Sequence, residues 1–387
     1  MAGLALDRYY NTDRFNHYIR ITSPLSRFNW KAIISYSDTK FTNEQFIVDT
    51  ILITSTQTTD SLFNTKDRYK VLNSRIEILL PEINESYDIQ IGSDLKLENV
   101  YGSRILNNSP YIYEFSFFNQ TNIKFNNRFQ TQIGIRIPYH SIYSAPLIPS
   151  IHLKYTFNKS IQLRSSYAKG FRAPSYKELY MDFFDTNHNI IGNSQLLAEY
   201  THSIQSSLTF IPFQEINKYL SINLEGFFNN LNDKIGIANI ENTDSFTYYN
   251  LSNAQYYGFT TTLNGKISYP NHTANEIKLM LNIYNIDNDL YKNNSPKHNV
   301  SLNYSYEYEI CNCGLNINWK LKSKYDYQVL NSSGELNSYI QDGYQLINFN
   351  LFKNFIEIDA LIHVGVKNLL DIKSTQSLLE AGLGQVH

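Results

Sequence analysis

The residues best suited to bind a ligand lie in one irregular stretch near the middle of the chain, between Tyr167 and Glu199. Tyr180, Phe183 and Phe184 supply aromatic faces, and His188 follows shortly after them. These side chains could line a small-molecule site, although a lone loop histidine is more often just a polar surface residue. The chain has no G-x-S-x-G, H-E-x-x-H or P-loop pattern, so the sequence predicts no enzyme.

The two cysteines, Cys311 and Cys313, are separated by a single residue. Residues this close rarely reach disulfide geometry in a turn. A single C-x-C also lacks the second ligand pair that a zinc site needs. We therefore expect two inert thiols in a turn and no bound metal.

The overall composition excludes two classes of protein. The formal net charge is -2 over 387 residues, which argues against nucleic acid as a partner because phosphate binding needs a clustered basic surface. No apolar run approaches the ~20 residues of a membrane helix. The first ten residues lack a basic region and a long apolar stretch, so we expect the export signal to be absent from this chain.

Apolar and polar residues alternate with period two along most of the chain. Clear examples are residues 87–97, 300–308, 315–322 and 356–366. Such alternation predicts strands with one apolar and one hydrated face. No stretch shows helical periodicity, so the predicted fold class is all-β.

Short and long connections alternate between these predicted strands. Short turns are expected, for example, at 309–313 and 353–355, and long loops at 54–67, 231–253 and 325–341. If residues 28–54 form one bent crossing, the chain has about sixteen crossings of ~10 residues. Tyrosine is abundant, with 31 copies against 2 tryptophans, and residues such as Tyr69 near strand ends suit a membrane interface. Together these features predict a transmembrane antiparallel β-barrel with long extracellular loops and short periplasmic turns.

Several segments resemble TonB-dependent outer-membrane receptors, in the order of that family. YAKGFRAPSYKELY (167–180) resembles the "FRAP" box, and GNSQLLAE (192–199) resembles the box that follows it, with Ser194 and Ala198 where prolines are usual. FFNNLNDKIGIA (227–238), NLSNAQYYGF (250–259), SPKHNVSLNYSY (295–306) and VGVKNLLDIK (364–373) resemble later elements. The motif residues are Gly170, Phe171, Arg172, Ala173, Pro174, Glu178, Gly192, Asn193, Leu196, Glu199, Asn368 and Leu369. We expect Arg172 and Glu178 to pair and to hold the central loop against the barrel wall.

The resemblance implies a Gram-negative outer-membrane transporter with no resident cofactor. Its transported ligand would be a ferric siderophore, haem or cobalamin, a small iron- or cobalt-containing compound. Its partners would be outer-membrane lipid and, through a plug domain, the TonB–ExbB–ExbD system. Some haem receptors of this family carry a histidine where His188 stands, and an imidazole is a good axial ligand of haem iron.

The family barrel is thought to have 22 strands around a plugged lumen. Residues 1–387 are therefore expected to be a barrel domain that is incomplete at both ends and lacks the plug and the final strand. Two alternatives stay open, a passive outer-membrane pore and a truncated receptor without function.

Overall fold

The computed structural model describes residues 3–24, 29–80, 86–106, 111–184, 189–240, 243, 245–288, 297–330 and 336–372. The strands are β1 Leu4–Pro24, β2 Asn29–Asp49, β3 Thr54–Gln57, β4 Thr65–Leu79, β5 Tyr87–Gly102, β6 Ile112–Lys124, β7 Phe129–His140, β8 Ile148–Thr156, β9 Ile161–Arg172, β10 Asp182–Phe184, β11 Asn189–Ile191, β12 Glu199–Gln214, β13 Lys218–Asn239, β14 Phe246–Ser268, β15 Thr273–Asn288, β16 Lys297–Tyr308, β17 Cys313–Lys322, β18 Tyr325–Leu330, β19 Leu336–Gln341, β20 Tyr344–Phe355 and β21 Ala360–Val366. One short helix, α1 Tyr176–Tyr180, and two 3-10 turns, Glu309–Cys311 and Ile356–Ile358, complete the elements.

One antiparallel meander accounts for most of the chain. Apart from the short strands β3, β10, β11, β18 and β19, the remaining sixteen strands pair with their neighbours in chain order from β1 to β21. The predicted all-β class and the crossing count are confirmed, and residues 29–49 do form one long strand. Within the described residues β1 and β21 each pair on one side only, so the sheet is open.

The connections separate the two rims of this sheet. Turns such as 157–160, 269–272 and 309–312 join strands at one rim, whereas longer segments such as 50–64 and 173–198 lie at the other. The predicted alternation of short and long connections is therefore present. We refer to these as the short-turn rim and the long-loop rim.

The two faces of the sheet have opposite polarity. Along β7, Ile133, Ile135 and Ile137 are exposed, and Ile137 is 57% accessible. Gln132 and Arg136 alternate with them and face the other side, which we call the inner face. Exposed isoleucine side chains on the outer face are typical of a sheet that faces hydrocarbon rather than water. No helix in the described part of the chain is long and apolar enough to cross a membrane.

Four expectations about local structure are wrong. The loop expected at 231–253 is mostly strand, because β13 and β14 continue beyond the motifs and leave only residues 240–245 between them. Residues 356–358 form a 3-10 turn rather than the start of a strand, since β20 extends to Phe355 and the chain reverses at Asp359, which has φ 50°. Tyr69 packs against a buried cluster at the long-loop rim rather than serving as an interface residue.

The fourth correction concerns the two cysteines. Cys311 and Cys313 form a disulfide, with their Cα atoms 5.2 Å apart. The 3-10 turn that contains Cys311 ends at Asn312, which adopts a left-handed conformation with φ 50°. This reversal lets two residues that flank a single position bring their side chains together, which a sequence-spacing argument did not anticipate.

Candidate functional site: the long-loop rim

Residues 173–198, here named the central segment, begin with a short helix fixed by its own cap. Pro174 precedes Ser175, whose hydroxyl accepts a hydrogen bond from the backbone N–H of Glu178 at 3.3 Å. In return the Ser175 N–H donates to the Glu178 carboxylate at 2.6 Å. This is a reciprocal capping box, and the sequence pattern S-x-x-E predicts it locally. The pattern was the available signal for the helix that the periodicity did not reveal.

An arginine at the end of β9 joins the two ends of the central segment. Arg172 donates from Nε and one terminal nitrogen to the two carboxylate oxygens of Glu199, at 2.6 and 2.7 Å. Its other terminal nitrogen lies 2.9 Å from Glu178. Glu199 also accepts the backbone N–H of Ile235 at 2.7 Å, which ties β13 into the same group. The predicted Arg172–Glu178 pair is therefore present, but Glu199 is the bidentate partner that sequence reasoning missed.

Behind these charges lies a cluster of buried apolar residues that we call the rim cluster. Its members are Val100, Ile112, Tyr176, Leu179, Leu196 and Tyr248. Tyr176 and Leu179 come from α1 and are 2% and 1% exposed. Since helical residues three apart share one face, α1 directs both side chains toward the sheet.

The rim cluster requires the sheet to curl. Val100 lies on β5 and Tyr248 on β14, and these strands are seven positions apart in the sheet. At ~4.8 Å per strand a flat sheet would separate them by about 34 Å. A single segment can contact both only if the inner face is concave. The central segment therefore crosses the concave side of the sheet at the long-loop rim.

Hydrogen bonds to backbone carbonyls complete this packing. The Tyr176 hydroxyl donates to the Val100 carbonyl at 3.1 Å, and the Tyr143 hydroxyl donates to the Leu196 carbonyl at 2.9 Å. Burial, together with the nearby Tyr180 and Glu178, raises the pKa of Tyr143 to about 12. Tyr143 thus stays a neutral hydrogen-bond donor at physiological pH.

A small hairpin extends the central segment beyond α1. Strand β10 pairs with β11, and β11 then pairs in parallel with β14. At the end of the hairpin Gly192 passes close to α1, where an added Cβ would lie 2.8 Å from the Tyr180 nitrogen. Asn193 next donates from its side chain to the Tyr248 carbonyl at 2.9 Å. The glycine is needed because the two backbones approach too closely for a side chain.

A buried ion pair supports the hairpin from the neighbouring loop. The Asp67 side chain is fully buried, and one oxygen lies 2.6 Å from Arg104 Nε while the other accepts the Arg104 N–H at 3.0 Å. The Arg104 carbonyl in turn accepts the N–H of Asp182, the first residue of β10, at 2.8 Å. No motif singled out either residue, because the pair forms only when β4 and β5 pair and bring Asp67 opposite Gly102, two residues before Arg104.

The four candidate ligand residues fall in different parts of this arrangement. Tyr180 packs edge-to-face on Tyr176 with ring centroids 5.3 Å apart, and burial raises its pKa. The Phe183 ring lies 5.5 Å from Lys177 Nζ and 5.7 Å from the Arg104 guanidinium carbon. The backbone of Phe184 belongs to β10, but its side chain and all of His188 lie outside the described residues. The structure therefore gives Tyr180 and Phe183 different neighbours, and the ligand-binding role of all four residues stays a prediction.

The remaining motif residues hold strand ends. Gly170 and Phe171 lie in β9, and Phe171 packs on Tyr200 of β12. Asn368, with φ 54°, donates its N–H to the Asn348 side chain at 2.9 Å, and the Leu369 N–H donates to the Ile347 carbonyl. Among the described residues no group of three or more His, Cys, Asp and Glu side chains could hold a metal ion.

Comparison with known proteins gives one family and several solved structures. The family model described as TonB dependent receptor-like, beta-barrel, matches residues 2–369. No curated protein matches the chain in sequence. The siderophore receptor PirA from Acinetobacter baumannii is similar in structure, with a TM-score of 0.68 at 16% identity over 94% of this chain and 59% of that one.

Two further solved structures share the fold. The ferric enterobactin receptor PfeA from Pseudomonas aeruginosa has a TM-score of 0.66 at 13% identity, over 94% of this chain and 57% of that one. The outer membrane transporter YddB from Escherichia coli has a TM-score of 0.70 at 8% identity, over 95% of this chain and 60% of that one. The chain thus spans about three fifths of the length of these proteins.

Proposed function

The chain belongs to the TonB-dependent receptor-like β-barrel family. We propose that it forms part of the barrel wall of an outer-membrane transporter, and that this transporter carries a ferric siderophore or a related organometallic ligand. Among the similar solved structures, PirA is a siderophore receptor, PfeA is a ferric enterobactin receptor and YddB is an outer membrane transporter. The exposed apolar side chains of the outer face suit lipid, and the polar inner face suits a hydrated lumen.

The observation that carries the proposal is the central segment fixed across the concave side of the sheet. Its anchors are the rim cluster and the Arg172 ion pairs, and its hairpin places the Phe183 ring 5.5 Å from the exposed Lys177 ammonium group. An aromatic face beside positive charge suits an anionic or aromatic ligand such as a ferric siderophore. The ligand would be captured at the long-loop rim and released toward the short-turn rim.

The proposal includes a domain organisation and an energy source. The open sheet needs further strands to close around a lumen, because unpaired strand edges in lipid leave backbone groups without hydrogen-bond partners. We assign residues 1–387 to the barrel domain, with a separate plug filling the lumen and contacting the TonB–ExbB–ExbD system. The residues provide binding and guidance, and no catalytic step or resident cofactor is part of this function.

Uptake in cells that make the full-length receptor tests this function. The probes are radiolabelled ferric enterobactin, haem and cyanocobalamin, each measured as binding on ice and as accumulation after warming. The expected result is saturable binding of one probe and accumulation that a protonophore or loss of TonB abolishes.

Other outcomes identify the alternatives. Entry of small solutes that is unaffected by the protonophore, with ohmic channel conductance in planar bilayers, would mean a passive pore. Neither binding nor uptake of any probe would mean a receptor without function. If haem is the probe that binds, His188→Ala should abolish its axial-ligand absorption band while His202→Ala, on β12, should leave that band unchanged.

A further inference from the structure

The disulfide between Cys311 and Cys313 lies at the short-turn rim, opposite the rim that carries the central segment. It closes the 3-10 turn between β16 and β17, and both cysteines are partly accessible to solvent. Cys313 begins β17 and stands directly opposite Lys353 of β20. Nothing in the proposed transport function uses this group.

The bridge has little to contribute to stability. A disulfide stabilises a fold mainly by restricting the unfolded chain, and this effect falls as the loop it closes becomes shorter. Here the bonded residues are only two positions apart, and both lie within one turn. The strands on either side are already joined by continuous β16–β17 pairing that includes Tyr308 and Cys313. The bridge therefore does not staple separate elements together.

The surroundings of the bridge favour thiolate chemistry. The Lys353 ammonium group donates a hydrogen bond to the carbonyl of Cys311, so a fixed positive charge lies at the turn. A neighbouring cation lowers the pKa of a cysteine thiol and makes that thiol both a better nucleophile at neutral pH and a better leaving group. An acidic group in the same turn, the Glu309 carboxylate, lies 3.6 Å from His272 Nδ1 of the adjacent turn and so has its own partner.

We propose that Cys311 and Cys313 form a reversible redox site that exchanges with thiols in solution. A reductant thiolate attacks one sulfur, the Cys311–Cys313 bond breaks, and a mixed disulfide forms. A second reductant thiol then releases the reductant as its own disulfide. The two reductant thiols supply the two electrons that reduce the bridge and the two protons that the Cys311 and Cys313 thiols take up. The reverse reaction, with a small oxidised disulfide, restores the bridge.

The experiment follows these two cysteines in the full-length protein in detergent, equilibrated with graded ratios of reduced to oxidised glutathione. Acid quenching and a maleimide of high mass then report the free thiols as a gel shift. The part of the gel shift that is absent in the double variant C311S/C313S reports the thiols of Cys311 and Cys313. We expect full oxidation in oxidised glutathione, full reduction in reduced glutathione, and a midpoint between them while the protein stays folded.

Lysine variants test the assigned environment. Lys353→Gln should slow reoxidation by oxidised glutathione by about 3–10-fold because the thiolate fraction falls. Lys353→Arg should keep the rate, and Lys159→Gln, an exposed lysine in the turn 157–160 on the same rim, should match the unmodified protein.

Three results would overturn the proposal. The first is that free thiols persist in oxidised glutathione. The second is that the bridge is reduced only when the protein unfolds. The third is that Lys353→Gln and Lys159→Gln are reoxidised by oxidised glutathione at equal rates. Transport activity is not a readout here, so a failure of this proposal and a failure of the transport proposal are distinguished.

Discussion

Single residues at the long-loop rim act by holding backbone segments together. Asp67 has no exposed side-chain surface and contacts both the side chain and the backbone of Arg104. Gly192 lets the hairpin return beside α1. In both cases the residue type is dictated by a contact with a segment distant in sequence, which makes these positions sensitive to substitution.

Asp67→Asn should destabilise the folded receptor by about 3–5 kcal/mol, because it leaves the Arg104 charge buried without its partner. Chemical unfolding of the full-length protein, followed by tryptophan fluorescence, measures the change. Glu309→Gln is the matched control, since its pair with His272 is 60% exposed on both sides and contributes little. Equal stability of the two variants would contradict the role assigned to Asp67.

Gly192→Ala should cost about 1–3 kcal/mol, because the added methyl group would lie 2.8–2.9 Å from backbone atoms of α1 that have no room to shift. Gly226→Ala, on β13, is the control, since the nearest atom to its added Cβ is 4.0 Å away. The same unfolding assay compares them. A Gly192 variant as stable as the Gly226 variant would mean that the hairpin does not approach α1 this closely.

At the scale of elements, the central segment is a folded unit and not a free loop. It contains α1 and the β10–β11 hairpin, and it is joined to β5, β9, β13 and β14 by hydrogen bonds and packing. Arg172 is one of its anchors, because that guanidinium contacts Glu178 inside the segment and Glu199 directly after it.

Arg172→Gln should raise the rate of amide hydrogen exchange across residues 173–198 while leaving exchange in the sheet unchanged. Loss of both ion pairs lowers the free energy of opening this unit without breaking strand pairing. Arg164→Gln on the same strand is the control, because Arg164 donates only to Gln162 among the contacts described for it. Faster exchange in both variants, or in neither, would refute this anchoring role.

At the scale of the whole molecule, the sheet has the polarity of a membrane barrel and, within the residues that the structure describes, two free edges. The outer face exposes many large apolar side chains, and β1 presents one unpaired edge over 21 residues. An unpaired edge in lipid costs several kcal/mol for each unsatisfied backbone group. The edges should therefore govern whether the chain can insert.

Residues 1–387 refolded alone into detergent should aggregate or fail to show the heat-dependent shift in gel mobility that folded barrels show. A longer chain that carries the further strands required by the proposed closure should show that shift. A monodisperse, heat-modifiable species formed by residues 1–387 alone would refute the view that further strands close the sheet.

The sequence by itself determined the all-β class, the sixteen long crossings and the family. Alternation such as that of 300–308 is a local property, since each strand must present one face to each environment regardless of its neighbours. The Arg172–Glu178 pair was also predictable, because only six positions separate its members.

Only the tertiary structure decided which distant residues meet. Asp67 and Arg104 are 37 positions apart and meet because β4 pairs with β5 in one register. Tyr143 and Leu196 are 53 positions apart and meet because the sheet brings its rim loops together. The extension of β13 and β14 through the expected loop at 231–253 depends on their mutual pairing, which no single strand encodes. The Cys311–Cys313 bridge depends on the left-handed Asn312 that reverses the chain. Period-two patterns are local, whereas contacts between loops depend on the curvature of the whole sheet.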